Sequence, residues 1–164
     1  MRISLFGITG ISLGIHNVKD PRLDQADKLV EAKKKTYAQV ELVGEDGALD
    51  ADAILVLREQ CADLILKDLE FVETRLSRDP LEAERTVLNK IKTRLENEEF
   101  LFNVGLSQEE MQAVAAHSFY TNKPIIVAES QEVDNHEALL VRALRESGHI
   151  SFLTVGGKEN RAWL

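Results

Sequence analysis

The chain has 164 residues, with 28 Asp and Glu against 20 Lys and Arg, a formal net charge of −8. Its length sets an expectation of one domain, or one domain and the start of another, and its 44% hydrophobic content is enough for a core. The acidity excludes non-specific binding to DNA, RNA or anionic lipid, the single cysteine (Cys61) excludes an intramolecular disulfide and a Cys-based zinc site, and no apolar run approaches the roughly 20 residues of a membrane helix.

Met1 to Gly7 reads as a short buried strand ending in a turn, followed by a loop with Gly7, Gly10 and Gly14. Asp20-Pro21 opens a helix, with Asp20 as cap and Pro21 at the first helical position. Leu23, Ala26, Leu29 and Val30 form its apolar face, and Lys33 to Lys35 suit its C-terminal dipole. Ala38 to Val43 alternates with period two and predicts a strand. Gly44 to Asp52 is an acidic loop. Asp52 to Leu57 fits either a buried strand or the first turns of the next helix.

From about Arg58 the pattern is helical, with Leu57, Cys61, Leu64, Ile65, Val72 and Leu76 on one face. Asp79-Pro80 interrupts it, and Leu81, Leu88, Ile91 and Leu95 mark a second helix. The two should pack antiparallel as an arm over about 58–100. Ser107 to Glu110 is a capping box opening a short helix with Met111, Val114 and Ala115. Lys123 to Ala128 predicts a buried strand, and Asp134 to Glu137 a second capping box. The next helix carries Leu139, Leu140, Ala143 and Leu144 and stops at Gly148. Ile150 to Val155 predicts a last strand. Strands interleaved with helices imply an α/β domain with a mainly parallel sheet, and the arm is an insertion in it.

Several blocks in this order resemble one family. Asn17-Val-Lys-Asp-Pro-Arg-Leu-Asp24 resembles the "vPDPRLD" segment of the YchF/Obg-like ATPases. Ala62 to Leu76 resembles the "ELiLaDLesVEkRL" helix that opens that family's coiled-coil arm. Leu106 to Glu110 and Thr121 to Ala128 match its "LseeE" and "taKPvlyvaN" blocks. Ser151 to Trp163 resembles "TFFTvGpKEvRAWt", where the family enters its TGS domain. The resemblance implies a shortened P-loop GTPase-like α/β domain over 1–148, with an inserted antiparallel coiled-coil arm, and the start of a TGS-like segment over 149–164. In the family it implies ATP or GTP hydrolysis and ribosome association.

The nucleotide motifs are not intact. A P-loop needs G-x-x-x-x-G-K-S/T, whose amides cradle phosphates, whose Lys reaches them and whose hydroxyl holds Mg²⁺. Gly10 to Gly14 is one residue short of that spacing, and no Lys-Ser/Thr follows. The stretch that would hold the first helix and switch I is missing between Gly14 and Val18. Gly44-Glu-Asp-Gly47 has the wrong spacing for D-x-x-G. The Asn of the family's N-x-x-E falls on Glu129 or Ser130, with Glu132 as a match to its Glu. Asn122-Lys123 mimics N-K-x-D, but Ile125 stands where the Asp belongs and the pair precedes its strand. The vestigial site is therefore Gly7, Gly10, Gly14 and Glu132, with no catalytic and no metal-binding residue.

Charge gives a separate argument. The loops after two predicted strands carry Glu45, Asp46, Asp50 and Asp52, and Glu129, Glu132, Asp134 and Glu137, with no Lys or Arg. If both lie at the carboxyl ends of the strands, eight carboxylates surround the place for a triphosphate. The same loops could hold a hard cation, though solvated caps explain them more simply. His16, His117, His136 and His149 are scattered, and Cys61 reads as packing on the arm helix. Trp163 is expected to pack back on the chain or to belong to a domain continuing past Leu164.

The leading expectation is a non-hydrolysing YchF-like interaction or regulatory module in the cytoplasm. It has no expected cofactor and a protein partner, ribosome-associated if the resemblance extends that far, with no membrane and no direct DNA contact. The alternative is an ATP- or GTP-binding enzyme with Mg²⁺ and an altered phosphate loop. A third expectation is a homodimer through the arm.

Overall fold

The computed structural model describes residues 1–30 and 35–148, and the backbone of 152–154 and 161–163. Expectations for Val30 as a side chain, Lys33, Lys34, His149, Trp163 as a packing group and most of the 149–164 segment lie outside the described residues.

The fold is α/β. The main sheet holds β1 (Arg2–Phe6), β2 (Gly14–Val18), β3 (Ala38–Val43), β4 (Ala53–Leu57) and β5 (Ile125–Ala128) in the order β2-β3-β1-β4-β5. β3, β1, β4 and β5 are parallel, and β2 is an antiparallel edge strand on β3. A separate antiparallel pair joins β6 (Phe152–Thr154) to β7 (Arg161–Trp163). The helices are α1 (Pro21–Val30), α2 (Cys61–Leu76), α3 (Glu82–Glu96), α4 (Leu101–Val104), α5 (Gln108–Ala113), α6 (Ser130–Val133) and α7 (His136–Glu146).

The 52–57 ambiguity resolves as strand β4. Ala53, Ile54, Leu55 and Val56 are all fully buried, because β4 lies inside the sheet with packing on both faces. One face meets α7 through Leu5, Leu42, Leu55, Ile126, Leu139, Leu140 and Ala143. The other meets the start of α2 through Phe6, Ile54, Val56 and Leu64. α2 and α3 form a helical hairpin whose own core includes Val72, Leu88, Ile91, Leu95 and Phe119.

The expected caps divide. Asp20 Oδ1 accepts from the Arg22 amide at 3.0 Å and also holds the Arg22 side chain, so the Asp20-Pro21 start is observed. The Ser107–Glu110 capping box is present. The box at Asp134–Glu137 is not: Asn135 precedes α7 without a side-chain cap, and Glu137 instead binds Lys19 at 2.7 Å. The reciprocal box lies one step earlier, between Glu129 and Glu132, where it opens α6. Two further sequence expectations shift. The long helix begins at Cys61, with Leu57 left in β4, and Met111 is exposed.

Candidate functional site at the carboxyl end of the sheet

In an open parallel sheet, ligands bind beyond the carboxyl ends of the strands, where neighbouring connections diverge. Here that place is between β1 and β3. The chain leaves β1 through Gly7, crosses to the outer strand β2, and returns through β3 to Gly44. Ile8 and Ile11 are buried and pin the crossing loop, while Thr9, Gly10, Ser12 and Leu13 are exposed.

Gly7 is the pivot. Its amide donates to Glu45 Oε1 at 3.0 Å. Its φ is +68°, and a Cβ there would lie 1.3 Å from Gln60 Oε1. A side chain at this position therefore meets both a left-handed backbone and an occupied space. Below it, the buried Ser4 hydroxyl donates to the Gly44 carbonyl at 3.0 Å and ties β1 to the end of β3. Gly10 and Gly14 also have positive φ, +96° and +114°, but open space surrounds them. Of the three glycines, only Gly7 is met by another side chain. Glu132 is elsewhere: its Oε2 accepts from the Glu129 amide at 2.8 Å and from Arg142 Nη2 at 3.0 Å. Arg142 also donates to the Val127 carbonyl. This arrangement caps α6 and fastens it to β5.

The expected ring of eight carboxylates is corrected. Asp50 and Asp52 belong to the opposite end of the sheet. The connection from β3 to a parallel β4 must travel the length of the strands, so only its first residues lie at the carboxyl end. Asp52 Oδ2 accepts from the Arg2 amide at 2.7 Å, at the start of β1. Of the remainder, Glu129 is paired with Arg58, Glu132 with Arg142 and Glu137 with Lys19. Only Glu45 touches the loop leaving β1.

Beside Glu45 opens a cleft of about 310 Å³ between the edge and α2. Phe6 and Leu66 give it apolar surface, and Gln60, Asp63, Lys67 and Glu70 give it polar surface. Lys67 Nζ lies 5.6 Å from the Phe6 ring centre and 5.9 Å from that of Tyr120, within range of a cation–π attraction. Gln60 Oε1 is buried and has no hydrogen-bond partner. Sequence reading missed this cleft. Its signal was the spacing of Asp63, Leu66, Lys67 and Glu70, which share one face of a helix.

Two other ionic clusters are structural. Asp68, buried on α2, accepts from the amides of Tyr120 and Thr121 at 2.9 and 2.8 Å and from the Thr121 hydroxyl at 2.7 Å. Burial pushes its carboxyl above the ordinary range, against the pull of those bonds. Glu84 on α3 receives Arg75 Nε at 2.6 Å and Arg75 Nη2 at 3.0 Å, and lies 2.7 Å from His117 Nε2. The guanidinium first, and His117 second, hold the Glu84 carboxyl down at about 2. Lys123, from the false N-K-x-D match, donates to the carbonyls of Ala48, Leu49 and Ala51 at 2.9, 2.6 and 2.9 Å. It fastens the β3–β4 connection at the amino end, far from any base-reading position. Cys61 is partly buried against the sheet, and burial pushes its thiol up.

Among the described residues, no three His, Cys, Asp or Glu side chains converge to hold a metal ion, and no helix is long and apolar enough to cross a membrane. No protein-family model matches the chain, and no curated protein is significantly similar to it.

Proposed function

We propose that this chain is a degenerate YchF/Obg-like protein, a shortened P-loop GTPase-like domain that does not hydrolyse nucleotide and acts as an interaction or regulatory module. The sequence blocks in family order support the relationship. A mainly parallel sheet with β1 central and an antiparallel edge strand suits it, and the α2–α3 hairpin supports the resemblance of 62–76 to the family's arm helix. The observation that carries the loss of nucleotide binding is the Glu45 carboxylate on the Gly7 amide. In a phosphate loop the amides after the first strand face the anion. Here one already has an anionic partner from its own chain, and like charge repels a phosphate. No Lys-Ser/Thr follows to offset that repulsion or hold Mg²⁺. The partner in this reading is a protein, reached in the cytoplasm. The family resemblance places ribosome-bound proteins among the candidates, and a second copy docking through the hairpin is a further form of the same reading. No cofactor is required.

A second reading is an ATP- or GTP-binding protein with Mg²⁺ and an altered phosphate loop. It is favoured by Gly10 and Gly14, whose positive φ and open surroundings leave the backbone approachable. Thermal unfolding with and without Mg·ATP or Mg·GTP separates the two. The first reading expects no nucleotide-dependent rise in Tm. A rise that Gly10→Val and Gly14→Val abolish would establish the second.

A further inference from the structure

We propose that β2 is a docking edge for a second copy of this chain. Two β2 strands pair antiparallel about a two-fold axis through Ile15 and join the two five-stranded sheets. The proposal goes beyond the interaction-module reading and does not depend on it. It rests on the backbone groups that the sheet leaves open.

The Glu41 amide donates to the Met1 carbonyl at 2.9 Å, so the backbone of Glu41 faces β1 and that of Val40 faces β2. Val40 lies opposite His16, and Glu41 opposite Ile15. His16 therefore turns its N–H and C=O to β3, and Ile15 and Asn17 turn theirs outward. Among the described residues no strand pairs with them there. The other edge of the sheet is covered. The Ile54 amide donates to the Pro124 carbonyl, so Ile125 and Val127 face outward on β5. Arg142 Nη2 closes that edge by donating to the Val127 carbonyl at 3.0 Å. Among the described residues no side chain does the same for the Ile15 or Asn17 backbone.

Charge and symmetry identify the occupant. The first 19 residues carry Arg2 and Lys19 and no Asp or Glu, in a chain of net charge −8. The carboxylate opposite Ile15, on Glu41, is already paired with Arg2. The β2 edge is thus a strip where two acidic copies approach without repulsion. Gly14 to Val18 also contains none of the lysines, carboxylates or prolines that guard exposed edges. With the axis on Ile15, each Ile15 donates one bond to, and accepts one from, Ile15 of the second copy. Asn17 then falls opposite Leu13 of the second copy. Identical strands meet this register by symmetry, and it covers Ile15, now 73% exposed, with an apolar cross-strand neighbour.

The test is sedimentation equilibrium and amide hydrogen exchange on the full chain. The mass should rise from 18.4 kDa towards twice that value between about 10 μM and about 1 mM. Over the same range exchange at the Ile15 amide should slow, while the His16 amide, bonded to β3, stays equally protected. Asn17→Pro removes an outward donor but no bond to β3, and should weaken association at least about tenfold. Ile15→Lys, which sets like charges face to face, should do the same. Leu81→Lys, at the exposed tip of the α2–α3 hairpin, should leave association unchanged. A chain that stays monomeric to about 1 mM would overturn the proposal, as would a dimer that both β2 variants leave intact. The exchange measurement needs no variant: a dimer whose Ile15 amide exchanges as fast as in the monomer would also overturn it.

Discussion

Asp68 and Asp63 lie five residues apart on the same helix and have opposite fates. Asp68 is buried and holds the turn before β5 through three hydrogen bonds. Asp63 is exposed on the cleft wall with no partner among the described residues. The contrast extends to the two ends of the sheet. At the amino end, Lys123 donates to three carbonyls and Asp52 accepts the Arg2 amide. Arg2 pairs there with Glu41 as well, while Asp50 is exposed. At the carboxyl end, Glu45 takes one amide, Gln60 has an unmatched acceptor, and Asp63 and Glu70 face solvent. The buried Asp68 and the Lys123 bonds tie elements of the fold together, whereas Asp63 and Glu70 tie nothing among the described residues.

Substitutions sharpen or break this contrast. The largest effect is expected for Asp68→Ala, which strands the buried Thr121 amide and hydroxyl and should cost about 3 kcal/mol in urea unfolding. Asp63→Ala on the same helix should leave the midpoint unchanged, and a comparable loss there would erase the distinction. Lys123→Met should come next, at about 2 kcal/mol, because three carbonyls lose a charged donor. Gly7→Ala should cost about 1 kcal/mol from its left-handed backbone, and more than Gly10→Ala because it also displaces Gln60. If the two glycine variants unfold alike, Gln60 is not held against Gly7.

The smallest expected effect is a pH dependence in the hairpin. Glu84 is held at about 2, below its ordinary 4.5. Its contribution is therefore present above pH 4.5 and lost as pH falls through about 2. The Tm difference between wild type and Glu84→Gln should close across that window. A difference that stays constant would mean that the Arg75 and His117 contacts do not hold the ionised form.

Much of this fold was legible in the sequence. β1, β3 and β5 followed from short apolar or alternating runs, α1 from Asp20-Pro21, and the hairpin from its 3–4 spacing broken at Asp79-Pro80. β2 was not, because Gly14 to Val18 is a strand only through its pairing with β3, a tertiary fact with no strong local signal. The acidic ring failed for a geometric reason that the sequence did contain. A loop joining two parallel strands must end at the opposite end from where it began, so Asp50 and Asp52 could not stay with Glu45 and Asp46. The three glycines were visible as a loop, but spacing could not show that only Gly7 meets other side chains. Asp134 to Glu137 had the spacing of a capping box, yet Lys19 from a distant segment claimed Glu137. The cleft was hidden because it needs β1, the Glu45 turn and α2 together.

Calorimetric titration of the chain with Mg·ATP and with Mg·GTP tests the central claim most directly, that the place for a phosphate at the end of β1 is filled by the chain's own Glu45. The expected result is no saturable heat for either nucleotide. Binding with a micromolar Kd would contradict it.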